Sequence, residues 1–366
     1  MPSSDVIRHG EYVMTVCNAC RYCEQFCPVF PAMENRRTFA KGDLMYLANL
    51  CHNCGECLYA CQYAPPHEFG INAPRTLAEL RTASYETYCW PQPLAGLFRR
   101  HGVTTSLVLV LAMSAAIFAG VVWSGGRVYP SGEGANFYAV MPHSMMVGLF
   151  GAVSAFVLAA LAFGLRRFSR DVNVRPRPPV TTRANGLALR DALTLRHLHA
   201  SGDDCPSAEE QRAPWRRWFH HATFYGFALC FASTSVAAVY HSVFGWHAPH
   251  DLTSLPVVLG TLGGVGLLVG PAGLIVLHRR RDRALGDPAQ TGMDVSFITL
   301  LFITSLTGLL LLVLRERPVM GLLLIVHLGS VLALFVTLPY GKFVHGLYRV
   351  AALVQYARED APIDRA

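Results

Sequence analysis

The chain has 366 residues, with 31 Lys and Arg against 24 Asp and Glu and a net charge of +7. Apolar residues make up 52% and charged residues 15%, where a soluble chain would carry about a quarter charged residues. That excludes disorder and a wholly soluble protein, and the length and long apolar runs exclude a small secreted disulfide scaffold.

Residues 1–95 are polar and hold most of the cysteines. The first twenty residues contain no apolar core of signal-peptide length, so the N-terminus is expected in the cytosol. Two runs then share one spacing, C-x2-C-x2-C-x3-C. The first is Cys17, Cys20, Cys23 and Cys27, followed by Pro28. The second is Cys51, Cys54, Cys57 and Cys61. This is the bacterial ferredoxin run, in which three cysteines wrap one cubane and the fourth reaches the other cluster. A [4Fe–4S] cluster needs four soft thiolates converging on it. One cluster is therefore expected on Cys17, Cys20, Cys23 and Cys61, and the other on Cys51, Cys54, Cys57 and Cys27. In each run the fourth cysteine is expected to begin a helix. Zinc, which prefers two separated C-x2-C pairs, fits poorly. With a full thiolate set at every iron, the pair reads as an electron wire with no substrate site. Cys89, Cys205 and Cys230 read as inert, and His52 and His67 as hydrogen-bonding residues of the loops.

Six apolar stretches follow, at about 104–123, 142–165, 219–241, 254–277, 296–314 and 320–341, each close to the ~20 residues that span a bilayer. Segment 166–217 carries eleven Arg and the connector after the fourth stretch reads His278-Arg279-Arg280-Arg281, whereas the alternate connectors hold two Arg at most. Basic connectors stay cytoplasmic. Both termini and the cysteine region are therefore expected on the cytoplasmic side of the inner membrane. The net charge is a topology signal and no pattern indicates nucleic acid. The expected organisation is a mainly α chain: a ferredoxin-like two-cluster domain over 1–95, two transmembrane helices over 96–165, a basic cytoplasmic segment over 166–217, a four-helix membrane domain over 218–350 and a cytoplasmic tail over 351–366. Within the basic segment, Arg175-Pro176-Arg177-Pro178-Pro179 reads as an extended linker. Residues 185–200 read as an amphipathic helix lying on the membrane or on the cysteine domain, or docking a partner.

Ionisable residues in spans are functional candidates. The third stretch begins with His220 and His221 and ends at His241. The sixth contains His327 and precedes His345, 18 residues on, which is five turns and about 27 Å if the helix continues. That arrangement suits one haem near each leaflet, with two axial imidazoles apiece. The inner pair is expected to be His345 with His220 or His221. The outer pair is expected to be His327 with His241, His143 standing in reserve. The glycine-rich stretch Gly260–Gly270 lies inside an apolar span and is no nucleotide loop; Gly260 and Gly264 are spaced for close helix contact. His247, His250 and His278 read as interfacial.

The motifs CNACRYCEQFCPVFPAMENRR, LANLCHNCGECLYACQYAPPHEF, RRWFHHATFYGF and VHLGSVLALFVTLPYGKFVHGLYR resemble the citrate/tricarballylate utilisation protein B family, over nearly the whole chain. The last four spans also resemble the cytochrome b subunit of respiratory nitrate reductase, where His327 and His345 fall on the haem ligands of the final helix. Ten residues beyond His220, at the place of that subunit's other ligand, stands Cys230. The resemblance implies an electron-transfer protein that reoxidises an FAD-dependent dehydrogenase acting on tricarballylate and passes electrons through two [4Fe–4S] clusters and one or two b-type haems to membrane quinone. A membrane-anchored redox or oxygen sensor is the alternative.

Overall fold

The computed structural model describes residues 4–126, 128–129, 137–172, 182–198 and 215–360. It is mainly α, and no strand occurs among the described residues. The linker at 175–179 and Cys205 lie outside the described residues.

The cysteine-rich domain is built from α1 (Ser4–Cys20), α2 (Val29–Glu34), α3 (Lys41–Leu50), α4 (Glu56–Tyr59) and α5 (Ala73–Tyr88). Two of these starts have a local cause. Asp43 accepts from the Ala40 N–H at 3.3 Å, and Asn72 caps α5 by accepting from the Arg75 N–H at 3.1 Å, which satisfies donors that a helix N-terminus leaves free. Helices α1, α3 and α5 bury Val13, Met14, Leu44, Met45, Leu47, Leu77 and Leu80 in one core.

Among the described residues six helices are long and apolar enough to cross a membrane, as expected for a multi-pass membrane protein. They lie in α6 (Ala95–Trp123, broken at His101), α8 (His143–Val172), α10 (Trp215–Phe244), α11 (Leu255–Arg280), α12 (Thr291–Val313) and α13 (Met320–Thr337), with the short α7 (Phe137–Val140) before α8. Helices α10 and α11 are a close pair. A Cβ on Gly226 would stand 2.9 Å from the Gly263 carbonyl, and one on Gly263 would stand 2.8 Å from the Cys230 nitrogen, so only glycine lets these backbones approach. Of the two glycines singled out by spacing, Gly260 faces Ser233 of α10 but Gly264 faces Leu309 of α12. Helix α11 then packs on α12, α12 on α13, and both α12 and α13 on α6.

The last membrane helix does not continue to His345. It stops at Thr337, and a new helix α14 (Val344–Glu359) starts after a turn. Pro339 supplies no N–H to extend the ladder, and the Gly341 N–H closes back on the Thr337 carbonyl at 2.8 Å. Helix α14 thus leaves the membrane bundle and packs against α3 and α9 (Thr182–Thr194), running through the boundary expected at 350/351. Its Tyr348, Ala352 and Leu353 join the cysteine-domain core. An ion network locks its end: Arg36 reaches Asp43 and Glu359 at 2.8 Å each, and the Tyr46 hydroxyl donates to Glu359 at 3.1 Å. Helix α9 lies on the cysteine domain, one of the placements expected for 185–200: Ala188 joins the same core, and His197 beyond its end meets His52 with ring centres 5.5 Å apart.

Candidate functional site

The eight cysteines fall into two groups. Cys17 stands with Cys20, Cys23 and Cys61 around a cavity of about 220 Å³, whose wall also includes Val16, Phe30, Tyr63, Ile71 and, from the other group, Cys57. Cys27 stands with Cys51 and Cys54, and Cys57 faces all three. Each group takes three cysteines from one run and the last cysteine of the other. The loops that shape the second group need left-handed backbone at Asn53 (φ 54°) and Gly55 (φ 96°). Asn tolerates that region and Gly favours it. Cys27 leads through Pro28 into α2, but Cys61 leads into successive turns and no helix. Pro65 and Pro66 follow it, and each lacks the N–H that a helix would need.

Burial, and after it the neighbouring thiols, pushes Cys17 up to about 12. Burial and its thiol neighbour Cys51 push Cys54 up to about 11, and Cys27 and Cys57 also rise well above the ordinary thiol range. Such crowded thiols ionise together only around a cationic core, and binding that core releases their protons. Among the described residues no three His, Cys, Asp or Glu side chains close on a single ion. A cubane takes each thiolate at a different iron, so its ligands stand further apart than those of a lone zinc. The residues fit an iron–sulfur cluster better than a mononuclear ion.

The structure brings His220, and not His221, to His345, with ring centres 6.0 Å apart. His221 lies against Tyr225 instead, at 5.6 Å. The Nδ1 of His345 faces the Lys342 carbonyl at 2.5 Å. A proton on Nδ1, donated to that carbonyl, leaves Nε2 with its lone pair. Burial, with the Lys342 charge beside it, holds His345 well below the usual imidazole range, so the ring is neutral. The Nδ1 of His220 is buried with no hydrogen-bond partner. Rings this far apart leave room for one metal centre between them, since each metal–nitrogen bond would be about 2 Å.

Among the described residues no such pair forms around His327. Its Nδ1 is 3.1 Å from Thr307 Oγ1, and that hydroxyl also lies 2.8 Å from the Ile303 carbonyl. The single hydroxyl proton goes to the carbonyl, so Nδ1 donates to Thr307 and Nε2 keeps its lone pair. The histidine expected opposite it is elsewhere. His241 stacks on His143 at 3.6 Å between ring centres, sits 3.2 Å from the Tyr138 hydroxyl and 3.0 Å from His247 Nδ1. Helix α13, which carries His327, packs against α12 and α6, so the ring turns to Thr307. Cys230 joins the apolar packing with Leu267, Leu300 and Leu334.

Sequence reasoning missed four arginines. Arg81 and Arg349 donate to the Cys51 carbonyl at 2.8 and 2.5 Å, Arg216 to the His52 and Asn53 carbonyls at 3.1 Å each, and Arg281 to the Asn53 carbonyl at 2.9 Å. One signal was available. Arg216 precedes His220 by four residues and Arg349 follows His345 by four, so each arginine shares a helix face with its histidine.

An iron–sulfur domain ahead of six membrane-length helices defines the class: a membrane electron-transfer protein. Residues 10–87 match the family model described as Citrate utilization protein B Fer4-like domain, and residues 97–365 match that described as Citrate utilization protein B. The curated Citrate utilization protein B of Escherichia coli is 50% identical over 351 residues, covering 95% of this chain and 91% of that protein. The chain belongs to the citrate utilization protein B family. No solved structure matches it.

Proposed function

We propose that this chain reoxidises a cytosolic flavoprotein dehydrogenase acting on tricarballylate and delivers the electrons to quinone in the inner membrane. Two [4Fe–4S] clusters and a b-type haem, when bound, supply the one-electron steps. Cys17, Cys20, Cys23 and Cys61 would hold the cluster nearer the donor, and Cys27, Cys51, Cys54 and Cys57 the inner one. His220 and His345 would hold the haem, with the His345 tautomer fixed by the Lys342 carbonyl. His327, its tautomer fixed by Thr307, would offer one ligand toward the outer leaflet.

The observation that carries this reading is a continuous connection. The Cys51 loop, Arg349 and His345 follow one another along α14, and the Asn53 loop, Arg216 and His220 along α10. The name of the similar Escherichia coli protein, Citrate utilization protein B, favours a role with a tricarboxylate, and the Fer4-like domain favours electron transfer. The test uses anaerobic membranes containing the chain, the candidate dehydrogenase and tricarballylate. Reduced b-type bands should appear and should bleach on adding a quinone analogue. Bands that stay oxidised with every such flavoprotein would refute the role.

A further inference from the structure

Four guanidiniums converge on the carbonyls of residues 48–53, the strand of backbone that delivers Cys51 and Cys54. To the bonds already given, Arg81 adds a longer one to the Ala48 carbonyl at 3.4 Å. Arg81 is buried, and the other three are half-buried. None of the four makes an ion pair with a carboxylate among the described residues. Asp294, the acid on the facing membrane helix, is taken by Lys342 at 2.8 Å. Among the described residues Glu56 is the one buried carboxylate beside these cysteines. The group of Cys27, Cys51, Cys54 and Cys57 therefore sits in a strongly positive setting. In addition, the Asn53 N–H donates to the Cys51 sulfur at 3.3 Å.

The other group is built differently. No charged side chain lines the cavity around Cys17, Cys20, Cys23 and Cys61. Arg21 is exposed, with Glu24 exposed close by, and Arg36 is already matched to Asp43 and Glu359.

Reduction adds one negative charge to a cluster. Fixed positive charge in a poorly solvated site stabilises that charge, and so do hydrogen bonds to the cluster's sulfur ligands. A guanidinium stays charged at any working pH, which makes it a permanent bias. Resting on the cluster reading above, we propose that Arg81, Arg216, Arg281 and Arg349 form an electrostatic cage that holds the inner cluster at a higher reduction potential than the outer one, and so directs each electron toward the membrane. Each transfer oxidises the outer site by one electron and reduces the inner site by one; a two-electron reduced flavin is the source and drives two such transfers. These are positioning residues, since none is a ligand. Two of them stand four residues from the histidine pair, so the same charges lie between the inner cluster and the exit.

The test is a redox titration followed by electron paramagnetic resonance on the full chain, purified without oxygen in detergent. The wild type should show two clusters with separated midpoints. Arg281→Gln keeps a donor but removes a charge, and Asn53→Asp keeps the shape and adds a neutralising carboxylate at a residue whose left-handed backbone Asp tolerates. Each should weaken reduction of one cluster about tenfold, a fall of about 59 mV for one electron, and leave the other midpoint in place. Arg281→Lys should restore the wild-type value. Repeating the titration in a Cys20→Ser background, which removes the outer cluster, should find the displaced midpoint in the cluster that remains. Should Arg281→Gln lose its cluster, Asn53→Asp decides. Both midpoints unmoved, or both moved equally, would overturn the cage while leaving the cluster reading intact. A wild type with no iron–sulfur signal would overturn that reading, and the cage with it.

Discussion

Arg36→Met should loosen α14 from the cysteine domain by an amount that the structure sets. The Arg36 side chain is 1% exposed and its two carboxylate partners, Asp43 and Glu359, are 9% and 10% exposed. Its loss removes the cation that these two buried acids share, and breaking a buried ion pair from one side costs about 3–5 kcal/mol. The helix does not come away entirely, because Tyr348, Ala352 and Leu353 remain packed in the core, and each large apolar side chain contributes about 1.5–3 kcal/mol. What changes is local opening. At 1.4 kcal/mol per decade, the opening equilibrium near Glu359 should rise by about two to three and a half decades. Hydrogen–deuterium exchange of the 350–359 amides measures this directly. The triple variant Arg36→Met, Asp43→Asn, Glu359→Gln should recover most of the protection, since replacing all members of a buried ionic cluster is often neutral. Unchanged exchange in the single variant, or no recovery in the triple, would show that apolar packing alone holds the helix.

Two further outcomes follow from the same geometry. His345→Ala should abolish the haem bands of purified protein while His221→Ala keeps them, because only His220 faces His345; equal loss in both variants would reverse the pairing. Burial, opposed by Asp191, lowers the His197 pKa below its ordinary 6.5. The unfolded segment therefore takes up a proton first as pH falls, and the stability of that contact is lost from about pH 6.5 downward through the folded value. Exchange of residues 182–198 should accelerate between pH 7.5 and 5.5 beyond the intrinsic rate change, and His197→Gln should remove the excess.

The legible parts of this molecule were those written locally in the chain. Cluster chemistry follows from a spacing, so both cysteine runs could be read directly. Membrane helices follow from unbroken apolar length, so their bounds shifted by a few residues only. The end of α13 was also locally written, in Pro339 and Gly341, yet the 18-residue interval between His327 and His345 favoured a continuous helix. The outer histidine pairing was not legible, because it depends on which helices are neighbours. His327 faces α12, and His241 is drawn into the cluster with Tyr138, His143 and His247. The arginine cage is tertiary too. Its members come from α5, α10, the end of α11 and α14, and nothing in the sequence near residue 51 names them.

The break after Thr337 has a consequence for electron transfer. On a continuous helix, His345 would project from the end of a membrane span, and Arg349 would follow that axis away from the cysteine domain. Because the chain stops, turns and restarts, His345 comes from a helix that shares its core with the cysteine loops. Arg349 on that helix bonds the Cys51 carbonyl, while Lys342, in the turn itself, binds Asp294 of the membrane bundle. One short segment therefore fixes the histidine to both halves of the molecule. Rate of electron transfer depends on separation between centres, and a separation set by a rigid shared element varies less than one set by a linker. The network at Arg36 and Glu359 pins the far end of α14, while Tyr348, Ala352 and Leu353, nearer His345, hold the helix to the cysteine-domain core.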